Sequence, residues 1–395
     1  MTDVYEKALD LHRKLKGKIS TELKTPIETK EDLSLVYSPG VAEPCREIVK
    51  DPSLQYEYTF KGNTIAVISN GTAVLGLGDI GPRAALPVME GKCALFKRFG
   101  GVNAVPIVVD EKDPDRFIEI VRAIAPTFGG INLEDIKAPE CIKIEETLKK
   151  ECDIPVFHDD QHGTAIVVTA GLINALKLVG KKPENCTAVI SGVGAAGSSI
   201  IKMMRDLGIS CIYGFNSKGI LNRKKAETYS NPLYRTLAQI TNPKGEDLSL
   251  EEAMQRADIF IGVSVPNKIN QAMVKSMKKD PIIFALANPQ PEIAYEEAKA
   301  AGARVVGTGR SDYPNQVNNV LAFPGLFRGA LDARAGEITE EMKKTAAMAL
   351  AALIPEKDLR EDYVIPSPLD PRVGEAVAKA VALCAKPGLG DLDKR

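Results

Sequence analysis

The chain has no excess of either charge. Lys and Arg together number 51 of its 395 residues, Asp and Glu 52. So even a balance leaves no basic surface for nucleic acid or an anionic membrane. CxxC pairs are also missing. The seven cysteines are scattered and odd in number, which argues against a disulfide framework and for reduced, buried thiols in a cytoplasmic protein. The first residues, "MTDVYEKALDLHRKLKGK", lack the apolar stretch of a signal peptide and read as an amphipathic helix. No apolar run is long enough for a bilayer. Histidines number three, and no cysteine or further histidine completes a zinc site around His158 and His162, so both are expected to serve as hydrogen-bonding residues. Internal repeats and low-complexity segments are absent. What remains, 44% hydrophobic and 26% charged, is the composition of a soluble globular protein too long for one ordinary core.

Hydrophobic patterning divides the chain near Gly163. Before it, "SLVYSPGVAEPCREI" reads as extended and turn-rich. "NTIAVISNGTAVLGLGDIGP" reads as two strands joined by an Asn-Gly hairpin turn. "ALPVMEGKCALFKRFGG" reads as a helix ending at paired glycines, and "VNAVPIVVD" as a buried strand. Strand ends follow at "GGINLEDI" and "IPVFHDD". After Gly163, "TAIVVTAGLINALKLVG" predicts a buried helix, and strands then alternate with helices up to a helical end. That alternation predicts an α/β fold with a parallel sheet covered on both faces. The expected domains are residues 1–162 and 163–395.

Several motifs carry chemistry. In "SGVGAAGSS", Gly192, Gly194 and Gly197 follow a strand and open a helix, with Ala195 and Ala196 between them. This is the context in which GxGxxG binds a dinucleotide, its pyrophosphate lying at the helix N-terminus. The next strand ends not in an acid but in Asn216, followed by Ser217 and Lys218. A carboxylate would repel a 2′-phosphate and these residues would not, so the pattern leans towards NADP over NAD. The bland alternative is an exposed loop lysine. Glu134 and Asp135 are adjacent, and can reach one ion only where the strand has ended and the backbone turns. With Asp160 they would form an oxygen site suited to Mg²⁺ or Mn²⁺, the alternative being a solvated acidic loop. Lys92 follows a glycine in an apolar neighbourhood; spacing alone favours an ordinary surface lysine. Tyr37 precedes Ser-Pro-Gly, which leaves acid and core roles open. Asn288, Asn318 and Asn319 lie at strand ends or loops and could bind carboxylate or carboxamide groups, or simply cap loops.

Taken in order, "VYSPGVAEPC", "TAVLGLGDIGP", "PVMEGKCALFK", "NLEDIKAPECI", "FHDDQHGTA", "SGVGAAG", "ANPQPEI" and "NNVLAFPG" resemble the malic enzymes of the short prokaryotic type, over nearly the whole chain. The resemblance implies an N-terminal malic-enzyme-type α/β domain followed by a Rossmann-like domain. It implies metal-dependent oxidative decarboxylation of L-malate to pyruvate with NAD or NADP, in a homodimer or larger homo-oligomer. By the same resemblance Glu134, Asp135 and Asp160 bind Mg²⁺ or Mn²⁺. Lys92 is the general base supported by Asp159, and Tyr37 is the general acid; a metal ion and a cationic nicotinamide held near Lys92 would lower its pKa. Asn288 and Asn319 bind malate, with Asn318 near the nicotinamide. Asp159 and Asp160 are expected at a strand end, Gly163 letting the chain turn sharply into the helix. Two departures stand out. Ala73 occupies the position where larger family members carry an arginine that grips the substrate carboxylate, and Asn216 leaves cofactor preference open. The acetyltransferase-like extension of some bacterial relatives is not expected. Alternatives are a malolactic-type enzyme that retains its cofactor and forms lactate, a non-catalytic nucleotide-binding sensor, and another Rossmann dehydrogenase such as an amino-acid dehydrogenase.

Overall fold

The structure is a computed structural model and describes residues 2–74 and 76–385. The last ten positions of the expected second domain lie outside the described residues. Among the described residues ten strands form two sheets. In the first half β1 (Thr64–Ser69), β2 (Asn103–Val108), β3 (Gly130–Leu133) and β4 (Val156–His158) make a four-stranded sheet, order β2-β1-β3-β4, parallel throughout. In the second half β5 (Thr187–Ser191), β6 (Cys211–Asn216), β7 (Gly219–Ile220), β8 (Ile259–Gly262), β9 (Ile282–Ala285) and β10 (Val305–Thr308) make a six-stranded sheet. Its order is β10-β9-β8-β5-β6-β7, with only the short β7 antiparallel. This is a doubly wound sheet, and its topological switch point lies between β5 and β8, where such folds bind ligands.

Several expectations about the first half are corrected. The Asn70-Gly71 hairpin does not form, because both edges of β1 are already taken by β2 and β3. The chain after Ser69 instead makes a glycine-rich loop, bridged once between Val74 and Gly78. "SLVYSPGVAEPCREI" is not extended: it contains the end of the helix Lys30–Val36, which a Thr29–Asp32 box caps, and most of the helix Ala42–Lys50. β2 is a half-buried edge strand rather than a buried one, which suits its Pro106. All seven cysteines are free thiols, but Cys45 is exposed and only Cys93, Cys141 and Cys186 are buried.

One hydrophobic cluster spans both sheets, and each sheet also buries a cluster of its own. The helix Asp159–Leu178 runs from the end of β4 into the second half, and most of its residues are buried, as its apolar sequence predicts. The division expected at 162/163 falls in its second turn. The helix Phe323–Asp332 crosses back onto the helix Gly81–Gly100, Phe323 and Phe327 packing on Phe96 at ring distances of 4.6 and 5.4 Å. The second half of the chain thus helps bury the first. Among the described residues no helix is long and apolar enough to cross a membrane.

Candidate active site

The acidic residues gather where two parallel strands end side by side. β3 ends at Leu133, and Asp135 takes the left-handed conformation with φ 53°. That turn removes the strand alternation, so Glu134 and Asp135 face one point, a backbone that Asp tolerates better than most residues. β4 ends at His158. Asp159 and Asp160 form not a strand end, as expected, but the first turn of the helix that follows. Carboxylates are favoured there by the helix dipole. The Asp135 N–H donates to Asp160 Oδ2 at 2.9 Å and ties the two strand ends together. Carboxylate oxygens of Glu134, Asp135 and Asp160 lie within 4.8 Å of one another.

Lys92 enters from the helix Gly81–Gly100. This helix buries Ala85, Met89, Lys92, Cys93 and Phe96, so the lysine shares its apolar face. Its Nζ donates to Asp159 Oδ2 at 2.7 Å, lies 2.9 Å from Glu134 Oε1, and sits 4.3 Å from the centre of the Phe323 ring. Asn319 Nδ2 donates to the same Asp159 oxygen, and Asn132 Nδ2 donates to Glu134 Oε2 at 2.8 Å. The lowering expected for Lys92 depends on a metal ion and a nicotinamide beside it; the side chains alone act the other way. Burial acts to lower the pKa, but Asp159 and Glu134 together overcome that and hold the ammonium above its usual range. Glu134, Asp135 and Asp160 are all raised, first by burial and further by neighbouring carboxylates, with Lys92 opposing incompletely.

This donor set fits a divalent cation. The ligands are hard oxygens, their repulsion is only partly compensated by one lysine, and Asp135 Oδ2 is buried with no hydrogen-bond partner. Neither neighbouring histidine joins them. His158 is buried, and the polar group set against its ring is the Ile136 backbone. Burial lowers its pKa to about 4. His162 does hydrogen-bond, to Glu145 Oε2 at 2.8 Å.

Gly163 does not turn the chain, being inside the helix. It matters for space: a Cβ there would meet Asp159 Oδ1 at 2.0 Å and Asn319 Cβ at 3.1 Å. Ala73 lies beside the cluster, its N–H donating to the Asp135 carbonyl at 3.0 Å. Across the junction, Gly76 approaches Pro289 and Asn288, which brings Asn288 to the edge of the same region. Asn318 uses its Oδ1 to cap Val320 N–H at 3.0 Å, the loop-capping alternative. Tyr37 is not brought in. It caps the helix Lys30–Val36, is 69% exposed, and its side chain makes no hydrogen bond within the described residues.

The glycine loop follows β5. Gly192 has φ 98°, and a Cβ there would meet the Val263 carbonyl at 2.4 Å; one on Gly197 would meet the Gly192 carbonyl at 1.8 Å. Gly194 caps the helix Ala195–Asp206, whose first turn holds Ala195 and Ala196. The loop therefore lies at the switch point between β5 and β8, its helix opening towards the crevice. Asn216 ends β6 and accepts Lys218 N–H at 2.8 Å, while Ser217 and Lys218 are exposed.

Sequence reasoning missed Asn132, which holds Glu134, and two buried charged residues further out. Glu145 lies on the helix Glu140–Glu151 and is held below the usual carboxylate range: burial would raise it, but His162 and Lys149 overrule burial. Lys343 is 1% exposed on the helix Glu340–Ala352. Each sits among other charged residues in "IEETLKKE" and "EEMKK", so composition gives no signal for either; Glu145 shares a helical face with Cys141, Ile144 and Leu148, which is the one clue.

A doubly wound sheet with a phosphate-type glycine loop, joined through a buried helix to a second parallel sheet with a carboxylate–lysine pocket, defines a two-domain nucleotide-binding α/β class. Residues 16–114 and 111–149 match the family model for the malic enzyme N-terminal domain, and residues 161–386 match that for the malic enzyme NAD binding domain. The chain belongs to the malic enzyme family. It is 57% identical over 380 residues to the bifunctional malic/malolactic enzyme of Bacillus subtilis strain 168, covering 96% of this chain and 92% of that one. It is 56% identical over 369 residues to the NAD-dependent malic enzyme of Geobacillus stearothermophilus, covering 93% and 77%. The crystal structure of the NAD-dependent malic enzyme from Thermotoga maritima superposes with a TM-score of 0.92 at 49% identity, covering 95% and 98%.

Proposed function

We propose that this chain converts L-malate to pyruvate and CO₂ with reduction of NAD or NADP, using the pocket around Lys92. The observation that carries the reading is a buried lysine hydrogen-bonded to Asp159 and flanked by three clustered carboxylates. A Mg²⁺ or Mn²⁺ ion held by Glu134, Asp135 and Asp160 would supply Lewis acidity towards substrate oxygens and offset the negative charge that keeps Lys92 protonated. A nicotinamide dinucleotide seated at Gly192, Gly194 and Gly197 would supply the hydride acceptor.

The chain's own residues orient substrate and carry protons. Lys92 Nζ, once neutral, takes the proton of the C2 hydroxyl, and Asp159 stabilises the ammonium that results. The hydrogen bond from Asn319 fixes the same Asp159 oxygen, so lysine and carboxylate keep one geometry. Asn288 and Asn319 offer amide donors to the substrate carboxylates, in place of the arginine that Ala73 lacks, and the Asn318 amide nitrogen serves the nicotinamide carboxamide. Phe323, packed over Lys92, keeps water from the ammonium. The loop Asn216–Lys218 presents no carboxylate to a 2′-phosphate, which favours NADP.

Tyr37 remains the proposed acid that protonates C3, although it stands on the surface. Its segment also exposes Leu9, Leu15, Leu23, Leu35 and Val49. That much apolar surface fits an interface, and a homodimer covering it would bring Tyr37 into a closed site.

The test uses the intact protein with L-malate and Mn²⁺, NAD and NADP in separate reactions, following reduced nicotinamide and measuring pyruvate. EDTA-sensitive reduction with equal pyruvate is expected. The 57% identity to a bifunctional malic/malolactic enzyme supports a second reading on the same pocket, in which lactate forms without net cofactor reduction. Absence of both products would reject the enzyme reading in favour of a nucleotide-binding sensor.

A further inference from the structure

Glu145 lies outside the carboxylate cluster, and its carboxylate is hydrogen-bonded to the helix turn that bears Asp159 and Asp160. It is 3% exposed and its two oxygens collect four donors. Oε1 receives the His158 N–H and Lys149 Nζ, each at 3.0 Å. Oε2 receives Gln161 Nε2 at 3.2 Å and His162 Nε2 at 2.8 Å. Three of these donors bracket Asp159 and Asp160 in the chain: one main-chain group just before them and two side chains just after. One carboxylate therefore grips the start of the helix from both sides.

The grip continues into the second half of the molecule. His162 Nδ1 lies 3.1 Å from Lys343 Nζ and 3.3 Å from Ser199 Oγ. An ammonium has no lone pair, so Nδ1 accepts from Lys343 and the ring proton sits on Nε2, where it is donated to Glu145. Lys343 comes from the helix Glu340–Ala352, and Ser199 from the helix that follows the glycine loop.

We propose that Glu145 is a positioning residue of the candidate metal site, setting Asp159 and Asp160 through His158, Gln161 and His162, with Lys343 fixing the His162 tautomer. The inference rests on the reading that Glu134, Asp135 and Asp160 hold a divalent cation. Groups that orient metal ligands in this way, when removed, typically weaken metal binding about 10–100-fold.

The experiment is calorimetric titration of Mn²⁺ into the metal-free full-length protein, with NADPH binding followed separately by nicotinamide fluorescence. The variants are Glu145→Gln, His162→Leu, His162→Gln and, as control, Asp160→Asn. A glutamine at 162 can donate to Glu145 through nitrogen and accept from Lys343 through oxygen; leucine can do neither. Expected are a Mn²⁺ affinity about 10–100-fold weaker in Glu145→Gln and His162→Leu, near-normal affinity in His162→Gln, and unchanged NADPH binding throughout. Should Glu145→Gln not fold, the contrast between leucine and glutamine at 162 decides. Wild-type Mn²⁺ affinity in both Glu145→Gln and His162→Leu would overturn the clamp while leaving the metal reading intact. Equal losses in both His162 variants, accompanied by lost NADPH binding, would overturn it as a general packing effect. No Mn²⁺ binding by the wild type, or none lost in Asp160→Asn, would overturn the metal reading and the clamp with it.

Discussion

The pocket at the ends of β3 and β4 and the first sixty residues are built on opposite terms. In the pocket, charged groups are buried almost completely: Asp159 is 0% exposed, Glu134 and Asp135 4% and Lys92 8%. In the N-terminal segment, apolar groups are left in solvent, Leu35 and Tyr37 both at 69%. Each is costly by itself. A buried charge needs a partner, and an exposed apolar patch needs a cover. The pocket has found most of its partners inside the chain, whereas the cover proposed for the segment is a second copy. Changes in the pocket should therefore act within a single chain, and changes in the segment through association.

The largest effect should come from Lys92. Lys92→Met leaves Asp159 and Glu134 facing each other without their common cation, and breaking a buried pair on one side typically costs about 3–5 kcal/mol. Removing the proposed base should also lower turnover about 10²–10⁴-fold while nucleotide binding survives. Thermal unfolding and steady-state kinetics on one preparation measure both. A variant with wild-type turnover would remove Lys92 from the mechanism.

Gly163→Ala comes next. The added methyl would overlap Asp159 Oδ1 at 2.0 Å, and the helix backbone cannot yield easily. Displacing Asp159 by about 1 Å should reduce kcat on the order of 10²-fold, since misplacement on that scale is enough to spoil reaction geometry. If activity is retained, Asp159 does not need the position it holds here.

The pocket also predicts a pH dependence of metal binding. Glu134, Asp135 and Asp160 have raised pKa values, so in the metal-free fold they retain protons that the unfolded chain releases. The folded state then binds more protons than the unfolded one, and this cluster's contribution to stability falls as pH rises through the raised values. A cation needs the carboxylates ionised and displaces those protons, so the gain in Tm on adding Mn²⁺ should be larger at about pH 8 than at about pH 6. Differential scanning fluorimetry at the two pH values checks it, and an equal or reversed gain would contradict the cluster's electrostatics.

How much of this was legible follows the same division. The glycine loop, the alternation of strands and helices, and the acids at strand ends could be read, because each depends on local sequence. Lys92 could have been placed more firmly: Ala85, Met89, Lys92 and Phe96 recur at helical spacing, which puts the lysine on the buried face. Asn70-Gly71 signals a hairpin because turn chemistry is local, while the occupation of both β1 edges by β2 and β3, which prevents it, is not. The apolar run "IPVF" carries a strand reading on into Asp159 and Asp160, but the helix begins directly after His158, whose N–H is bonded to Glu145, thirteen residues upstream and outside any local pattern. The raised pKa of Lys92 was invisible for the same reason, since it comes from residues 42 and 67 positions away in the chain.

The smallest effect on the isolated fold should come from the N-terminal segment, which is what makes it informative. Leu35 is exposed on the helix Lys30–Val36, none of whose residues is buried, so Leu35→Ser should change the stability of a single chain by no more than about 0.5 kcal/mol. If a second copy covers this face, the same change should shift dissociation to higher protein concentration in sedimentation equilibrium. Activity should then fall on dilution more steeply than in the wild type. Tyr37→Phe sharpens the point, because it removes only a hydroxyl. It should leave association untouched and lower the rate of pyruvate formation. A Leu35→Ser protein that dissociates yet keeps its specific activity would mean that the pocket is complete in one chain and that Tyr37 is not its acid.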